Sequence, residues 1–268
     1  MQNLNDKINQ LARILGKAPL EMPKKDFAEI RKEFAEQANQ EIKQEQQQAR
    51  KQRILNIHGK SDLNPRWTFD TLIEDSDDVR EAISIAQSFI AAHEDPHWRA
   101  SGSHMMIFYG DYGRGKSHIA GAIAHALIDQ FEISVLYRQL SSLLEMRFSS
   151  FDFNAQDKIG EKFREVQQEL LDVDLLILDE VCVNETQLKK NTQSWLGNLL
   201  RQRLVNNKNC ILITNHELAA LEHALGPYCF ESIKEYDTYR VRFSGPSRRK
   251  ALKDDIYSVP VYQPNQIK

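Results

Sequence analysis

Eight consecutive residues, Gly110-Asp111-Tyr112-Gly113-Arg114-Gly115-Lys116-Ser117, carry the spacing G-x-x-x-x-G-K-S. Glycines let such a loop curl until successive backbone N–H groups face one point, where phosphate oxygens can sit. A helix starting near Lys116 adds the positive end of its dipole. In that setting Lys116 reaches the outer phosphates of ATP, and the Ser117 hydroxyl oxygen joins the coordination shell of Mg²⁺. His118, next in the chain, completes the expected nucleotide-binding set. The pattern carries weight because a strand-like run (105–109) precedes it and a helix-like run (116–131) follows.

A second group of reactive residues ends an apolar run, Val173-Asp174-Leu175-Leu176-Ile177-Leu178-Asp179-Glu180. A buried strand does not end in two carboxylates without a charge to meet. Beside a phosphate loop, Asp179 fits a Mg²⁺-holding acid and Glu180 a general base that polarises the attacking water. A third apolar run, Cys210–Thr214, ends at Asn215, whose amide is expected at the same sheet edge, near the γ-phosphate.

The elements that must position these groups alternate between strand and helix. Strand-like runs at 105–109, 134–137, 175–178, 210–214 and 239–243 are separated by helical stretches, among them 79–93, 116–131 and 193–205. Strands that are apolar throughout and separated by helices imply an α/β fold with a central parallel sheet covered on both faces. A short basic helix is expected near 247–254.

Residues 1–55 have a different character. Leu4, Ile8, Leu11 and Leu15 fall on one face of a short helix. Asp26 is placed to cap a second, with Phe27, Ile30 and Phe34 as its stripe. That stripe fades into a glutamine-rich run, 36–52, too polar to bury much of itself; it reads as an exposed stalk or a partner-binding surface. The expected organisation is a helical module over 1–55, a linker over 56–66 and an ATPase domain over 67–268.

The net charge of −3 hides an asymmetry: residues 1–60 hold 12 Lys and Arg against 8 Asp and Glu, the remainder 23 against 30. No apolar run reaches membrane-spanning length and the start lacks a secretion-signal pattern, so a cytoplasmic protein without a membrane partner is expected. Cys182, Cys210 and Cys229 lack metal-ligand spacing and read as reduced thiols, two of them in strongly apolar runs.

In this order, the phosphate loop, Asp179-Glu180, Thr214-Asn215 and Ser247-Arg248-Arg249 resemble the DnaC/IstB family of AAA+ ATPases, most of all its bacterial helicase loaders. The resemblance spans roughly residues 53–252 and includes Pro65-Arg66-Trp67-Thr68-Phe69 ahead of the loop. It implies a P-loop AAA+ domain preceded by a small all-helical module. It also implies that Arg248 and Arg249 supply the family's second sensor, an arginine on the γ-phosphate. The implied partners are a replicative hexameric DNA helicase, held by the N-terminal module, and single-stranded DNA. In the family a helical insertion after the second strand binds single strands; here that segment, 139–153, and its flank carry Arg138, Arg147, Phe148, Phe151 and Phe153, suited to stacking bases and tracking phosphates or, equally, to packing. The alternative role within the family is a transposition helper that binds duplex DNA and a transposase.

Two departures stand out. The family keeps a glycine two residues after its acidic pair, where this chain has Cys182. The family also keeps an arginine finger after the Asn-bearing strand, and this chain has no arginine between Arg203 and Arg240. A finger contributes about 10³–10⁵ in rate. Lys234 or Arg203 could stand in, a partner could supply the cation, or self-assembly does not activate hydrolysis; the reading favoured joins the last two, a slow ATPase used as a switch, with self-assembly that is weak or templated by the helicase.

Overall fold

The computed structural model describes residues 10–11, 13–16, 27–151, 158–182 and 187–249. Leu4, Ile8, Asp26, the Phe27 side chain, Phe153 and residues 250–254 lie outside them. The chain forms two compact units, Met1–Gln52 and Arg53–Lys268.

Within the first unit, residues 10–11 and 13–14 are helical, and helix α1 begins at Phe27 and runs to Gly59. Every side chain from Arg31 to Gln52 is exposed, Phe34 and Ile42 among them. Polar composition on all sides explains why this stretch buries nothing. From Arg53 onward the helix belongs to the second unit, where Ile54 and Ile57 are buried. That apolar pair is why the helix continues to Gly59 instead of ending near residue 55.

The second unit is a five-stranded parallel sheet in the order β2-β3-β4-β1-β5, with β1 His104–Tyr109, β2 Val135–Gln139, β3 Leu175–Asp179, β4 Asn209–Ile213 and β5 Asp237–Arg242. Ahead of β1 come α2 (Asp77–Ala92) and the short α3 (Pro96–Ala100). Between strands lie α4 (Lys116–Phe131), α5 (Leu140–Ser149), α6 (Ile159–Asp172), α7 (Lys190–Val205) and α8 (Leu218–Lys234). Strands β1, β3 and β4 are buried along nearly their whole length and separate two apolar layers. One layer packs α5 to α8 against Met105, Leu176 and Leu212; the other packs α2 and α4 against Phe108, Ile177 and Ile211. Each fully buried Leu, Ile or Phe contributes about 1.5–3 kcal/mol, so the sheet is the rigid base of the site.

Strand β4 lies between β1 and β3. The loop that follows β1 and the acids that end β3 are therefore two strand spacings apart, about 10 Å. Asn215 follows the strand in the gap. The parallel register sets all three ends on one edge: Thr214 N–H donates to Phe108 O (2.9 Å) and Val181 N–H to Ile213 O (2.9 Å).

The fold corrects two further assignments and adds two elements. Arg203 cannot stand in for a finger: it is fully buried, and its guanidinium donates to the carbonyls of Leu170 (2.6 Å), Val173 (3.0 Å) and Asn209 (2.6 Å). It clamps the end of α6 to the starts of β3 and β4. Helices α3 and α6 have no counterpart in the sequence reading. Residues 247–249 are not helical.

Candidate functional site

The loop after β1 has the left-handed backbone that only glycine adopts freely: φ is 117° at Gly110, 76° at Gly113 and 93° at Gly115. Two of these glycines also meet a neighbour closely. A Cβ at Gly110 would stand 2.2 Å from Phe243 O, and one at Gly113 would stand 2.4 Å from Ser247 Oγ. Helix α4 begins at Lys116, so its free N–H groups face the loop's hollow.

Lys116 is buried, and its ammonium donates to Gly110 O (2.7 Å) and Asp111 O (2.6 Å), which centres it in the loop. Burial brings it down to about 8, with the Asp179 carboxylate opposing that fall. Ser117 Oγ donates to Asp179 Oδ2 (2.7 Å), and the Tyr137 hydroxyl donates to the same oxygen. Burial, and then the Asp179 charge, push the Tyr137 phenol far above its ordinary range, which keeps it a donor. Glu180 N–H donates to Asp179 Oδ1 (2.7 Å), and Ser141 Oγ donates to Glu180 Oε2 (3.3 Å).

The turn after β3 is left-handed twice, with φ 54° at Glu180 and 64° at Cys182. Cys182 stands where the family keeps glycine. An L side chain costs roughly 1–2 kcal/mol there, which gives the glycine a backbone reason. Cys182 and Cys229 are both buried free thiols, each pushed up to about 12 by burial.

A cavity of about 490 Å³ lies over the loop. Its phosphate side is lined by Tyr112, Gly113, Arg114, Gly115, Lys116, Ser117 and His118, and its far side by Asp179, Glu180 and Asn215. Arg248 and Arg249 close one flank, and Trp67, Thr71, Leu72 and Ile73 close another. The sequence reading missed the last three. Only the preceding Trp-Thr-Phe run (67–69) marked this segment; the three residues themselves carried no signal. Trp67 lies against α4 so closely that a Cβ at Gly121 would meet it at 2.6 Å. His118 Nε2 lies 3.0 Å from both Thr68 O and Thr71 Oγ1, tying this lead-in segment to the phosphate helix. The result is a polar floor with an apolar wall, the form that suits a phosphate chain joined to a flat base.

Among the described residues, no group of three or more His, Cys, Asp or Glu side chains converges as a metal site. Ser117 and Asp179 offer a hydroxyl and a carboxylate oxygen side by side, the hard donor set Mg²⁺ takes when phosphates complete its shell.

The remaining sequence candidates divide. Arg114 pairs with Asp111 and donates to Phe243 O (3.2 Å). Arg138 pairs with Asp62 at 3.4 Å. Arg147 is buried, donates to Asn191 Oδ1 (2.5 Å), and lies 5.3–5.9 Å from the rings of Phe148, Phe151 and Trp195. Phe148 and Phe151 are exposed. Lys234 pairs with Glu231 at 2.7 Å. It ends α8, which kinks at Gly226 (φ 73°) before Pro227. No described helix is long and apolar enough to cross a membrane.

Phosphate loop, acidic strand end and a strand between them define the chain as a P-loop ATPase of the AAA+ class. The chain belongs to the family of the bacterial DnaA ATPase domain, whose model matches residues 63–225. Among its relatives are the uncharacterized protein YdaV of Escherichia coli K12, 29% identical over 70% of this chain and 69% of that one, and the replicative helicase loader DnaC of E. coli K12, 21% identical over 76% and 81%. DnaA of Enterococcus faecalis is 35% identical over 46% of this chain, a match that spans only 24% of DnaA. Solved structures of DnaI and of the DnaC helicase loader share the fold at TM-scores of 0.54, each over 68% of this chain and over 90% and 100% of theirs, at 21% and 18% identity. The resemblance to DnaC-type AAA+ proteins and the α/β fold expected from the sequence are both borne out.

Proposed function

We propose that the chain is an ATP-dependent loader of a replicative DNA helicase, acting in the cytoplasm. The observation that carries this reading is the pairing of a complete phosphate site with a DnaC relative matched over most of both chains. In the ATP-bound form the chain grips helicase and single-stranded DNA; hydrolysis releases them.

At the site, the loop amides and Lys116 bind the phosphates, and Ser117 and Asp179 hold Mg²⁺, which neutralises charge on the outer phosphates. Tyr137 and Ser117 orient the Asp179 carboxylate. Glu180 takes the proton of the attacking water, with Asn215 beside it to align that water. Arg249 meets the γ-phosphate. Leu72 and Ile73 wall the base. No finger arginine lies on α8, so hydrolysis by the free protein is slow and quickens with the helicase.

Two surfaces support the partner assignments. The first unit exposes Leu11, Ile14, Leu15, Phe34 and Ile42, apolar side chains suited to a helical partner. Near α5, exposed Phe148 and Phe151 flank Arg147, whose Nη1 is buried without a partner among the described residues. Rings beside a guanidinium suit stacked bases and a phosphate.

Mass photometry of the full chain with a candidate replicative helicase tests the reading. A complex heavier than the hexamer, favoured by an ATP analogue over ADP, is expected. Unchanged component masses under both nucleotides would reject it.

A further inference from the structure

Beyond β5 the chain turns back over the phosphate loop. Phe243 N–H donates to Tyr109 O (2.9 Å), Arg248 N–H donates to Gly113 O (2.8 Å), and Arg248 Nη1 donates to Arg114 O. The close approaches at Gly110 and Gly113 are made by this same strap, residues 243–249.

Two acids, Asp75 just ahead of α2 and Asp78 in its first turn, pin the strap from outside. Asp78 Oδ2 accepts the N–H groups of Ser244 (2.9 Å) and Gly245 (2.8 Å). Asp75 Oδ1 accepts from Arg248 Nε (2.9 Å), and Ser76 Oγ accepts from Arg248 Nη2 (2.6 Å). The hydrogen bond from Arg248 holds the Asp75 carboxyl below the usual carboxylate range. At Asp78 burial works upward, but hydrogen bonds from Ser76, Gly245 and Ser244 outweigh it and the carboxyl is lowered. Neither acid lines the cavity.

This arrangement gives the two neighbouring arginines different work. Arg248 lines the cavity, yet its guanidinium is consumed by Asp75, Ser76 and Arg114 O. Arg249 lines the same cavity, and its guanidinium has no partner among the described residues. Its charge is felt at Lys116, whose ammonium it disfavours.

We propose that Asp75 and Asp78 are positioning residues that, by pinning the strap through Arg248 and the backbone of residues 244–245, hold Arg249 at the phosphate end of the cavity. The chain's preference for a nucleoside triphosphate over a diphosphate then depends on two carboxylates that never touch nucleotide. The proposal rests on reading the cavity as an ATP site.

The test is the ratio of Kd for ADP to Kd for ATP, measured with fluorescent nucleotides on the full chain. Arg249→Ala reports the reading itself: losing a charge-assisted contact to the γ-phosphate lowers the ratio about tenfold or more. Asp75→Asn with Asp78→Asn is expected to lower the ratio by a similar factor while leaving ADP affinity within about twofold. If Arg249→Ala lowers the ratio and the double neutralisation does not, the positioning role is overturned and the ATP site stands. If Arg249→Ala leaves the ratio unchanged, the reading of the cavity fails first. Loss of ADP and ATP affinity alike in the neutralised chain would mark general damage to the loop and also reject the proposal. Should the double variant lose its cooperative melting transition, Asp75→Asn alone, which keeps both backbone bonds to Asp78, must lower the ratio by at least threefold.

Discussion

Arg203 offers the sharpest contrast between scaffold and chemistry. Replacing it by Met keeps an unbranched apolar stem but removes a guanidinium that donates to Leu170 O at 2.6 Å, Val173 O at 3.0 Å and Asn209 O at 2.6 Å, with Nε 3.3 Å from Cys210 Sγ. Hydrogen bonds to a charged donor contribute about 1.5–3 kcal/mol each, and the three carbonyls left behind are enclosed. Against this, the variant no longer buries a charge, which recovers several kcal/mol. Removing one side of such a buried network costs about 3–5 kcal/mol net. For a unit of this size each kcal/mol is worth about 2–4 °C, so Tm of Arg203→Met should fall by roughly 6–20 °C. The clamp sits at the starts of β3 and β4, away from the strand ends that carry the cavity, so nucleotide Kd measured below the transition should stay within about twofold. Differential scanning calorimetry paired with nucleotide titration reads both. A Tm within about 2 °C of the parent would refute the clamp, and a lost ATPase rate at that unchanged Tm would reinstate Arg203 as a catalytic cation.

Three further outcomes follow from the site. Glu180→Gln should bind ATP with unchanged Kd and lose hydrolysis by about 10²–10⁴, read by single-turnover phosphate release, because the amide keeps the shape but takes no proton. ATP affinity should weaken above pH 8: Lys116 titrates near 8 in the free protein, below its ordinary 10.5. Above that pH binding must restore the lost proton, so Kd rises about tenfold per pH unit, whereas Lys116→Arg should show a flat profile. Cys182→Val should destabilise by about 1–3 kcal/mol in chemical denaturation, since a β-branched residue at φ 64° is strained, while Cys182→Gly should lie close to the parent.

The parts of the site legible in the sequence were those fixed by local spacing. Gly110 to Ser117 must form a loop because of its glycines, and the run ending in Asp179 and Glu180 must be a buried strand because of its apolar length. What the sequence hid was set by distant contacts. Arg248 and Arg249 are adjacent and alike in type; Asp75, Ser76 and Arg114 O, all far away in the chain, engage the first, while the guanidinium of the second has no partner among the described residues. Arg203 looked available because nothing in its neighbourhood announced the carbonyls of α6 and β4. Tyr137 reads as an ordinary strand residue until the parallel pairing of β2 with β3 brings its hydroxyl to Asp179. Leu72 and Ile73 gave no periodic signal, since a 3₁₀ turn and a loop have none. The strand between β1 and β3 belongs to the same class: sheet order follows from crossover packing and not from the pattern of any one segment.

Helicase loading itself is tested most directly on closed circular single-stranded DNA, which a hexameric ring enters only by opening. With the full chain, ATP and a replicative helicase, the helicase should become topologically trapped on the circle and survive a high-salt wash. Lys116→Ala should abolish trapping, and Glu180→Gln should leave the loader bound beside the trapped ring. Equal trapping with and without the chain, or trapping that Lys116→Ala leaves intact, would contradict ATP-dependent loading.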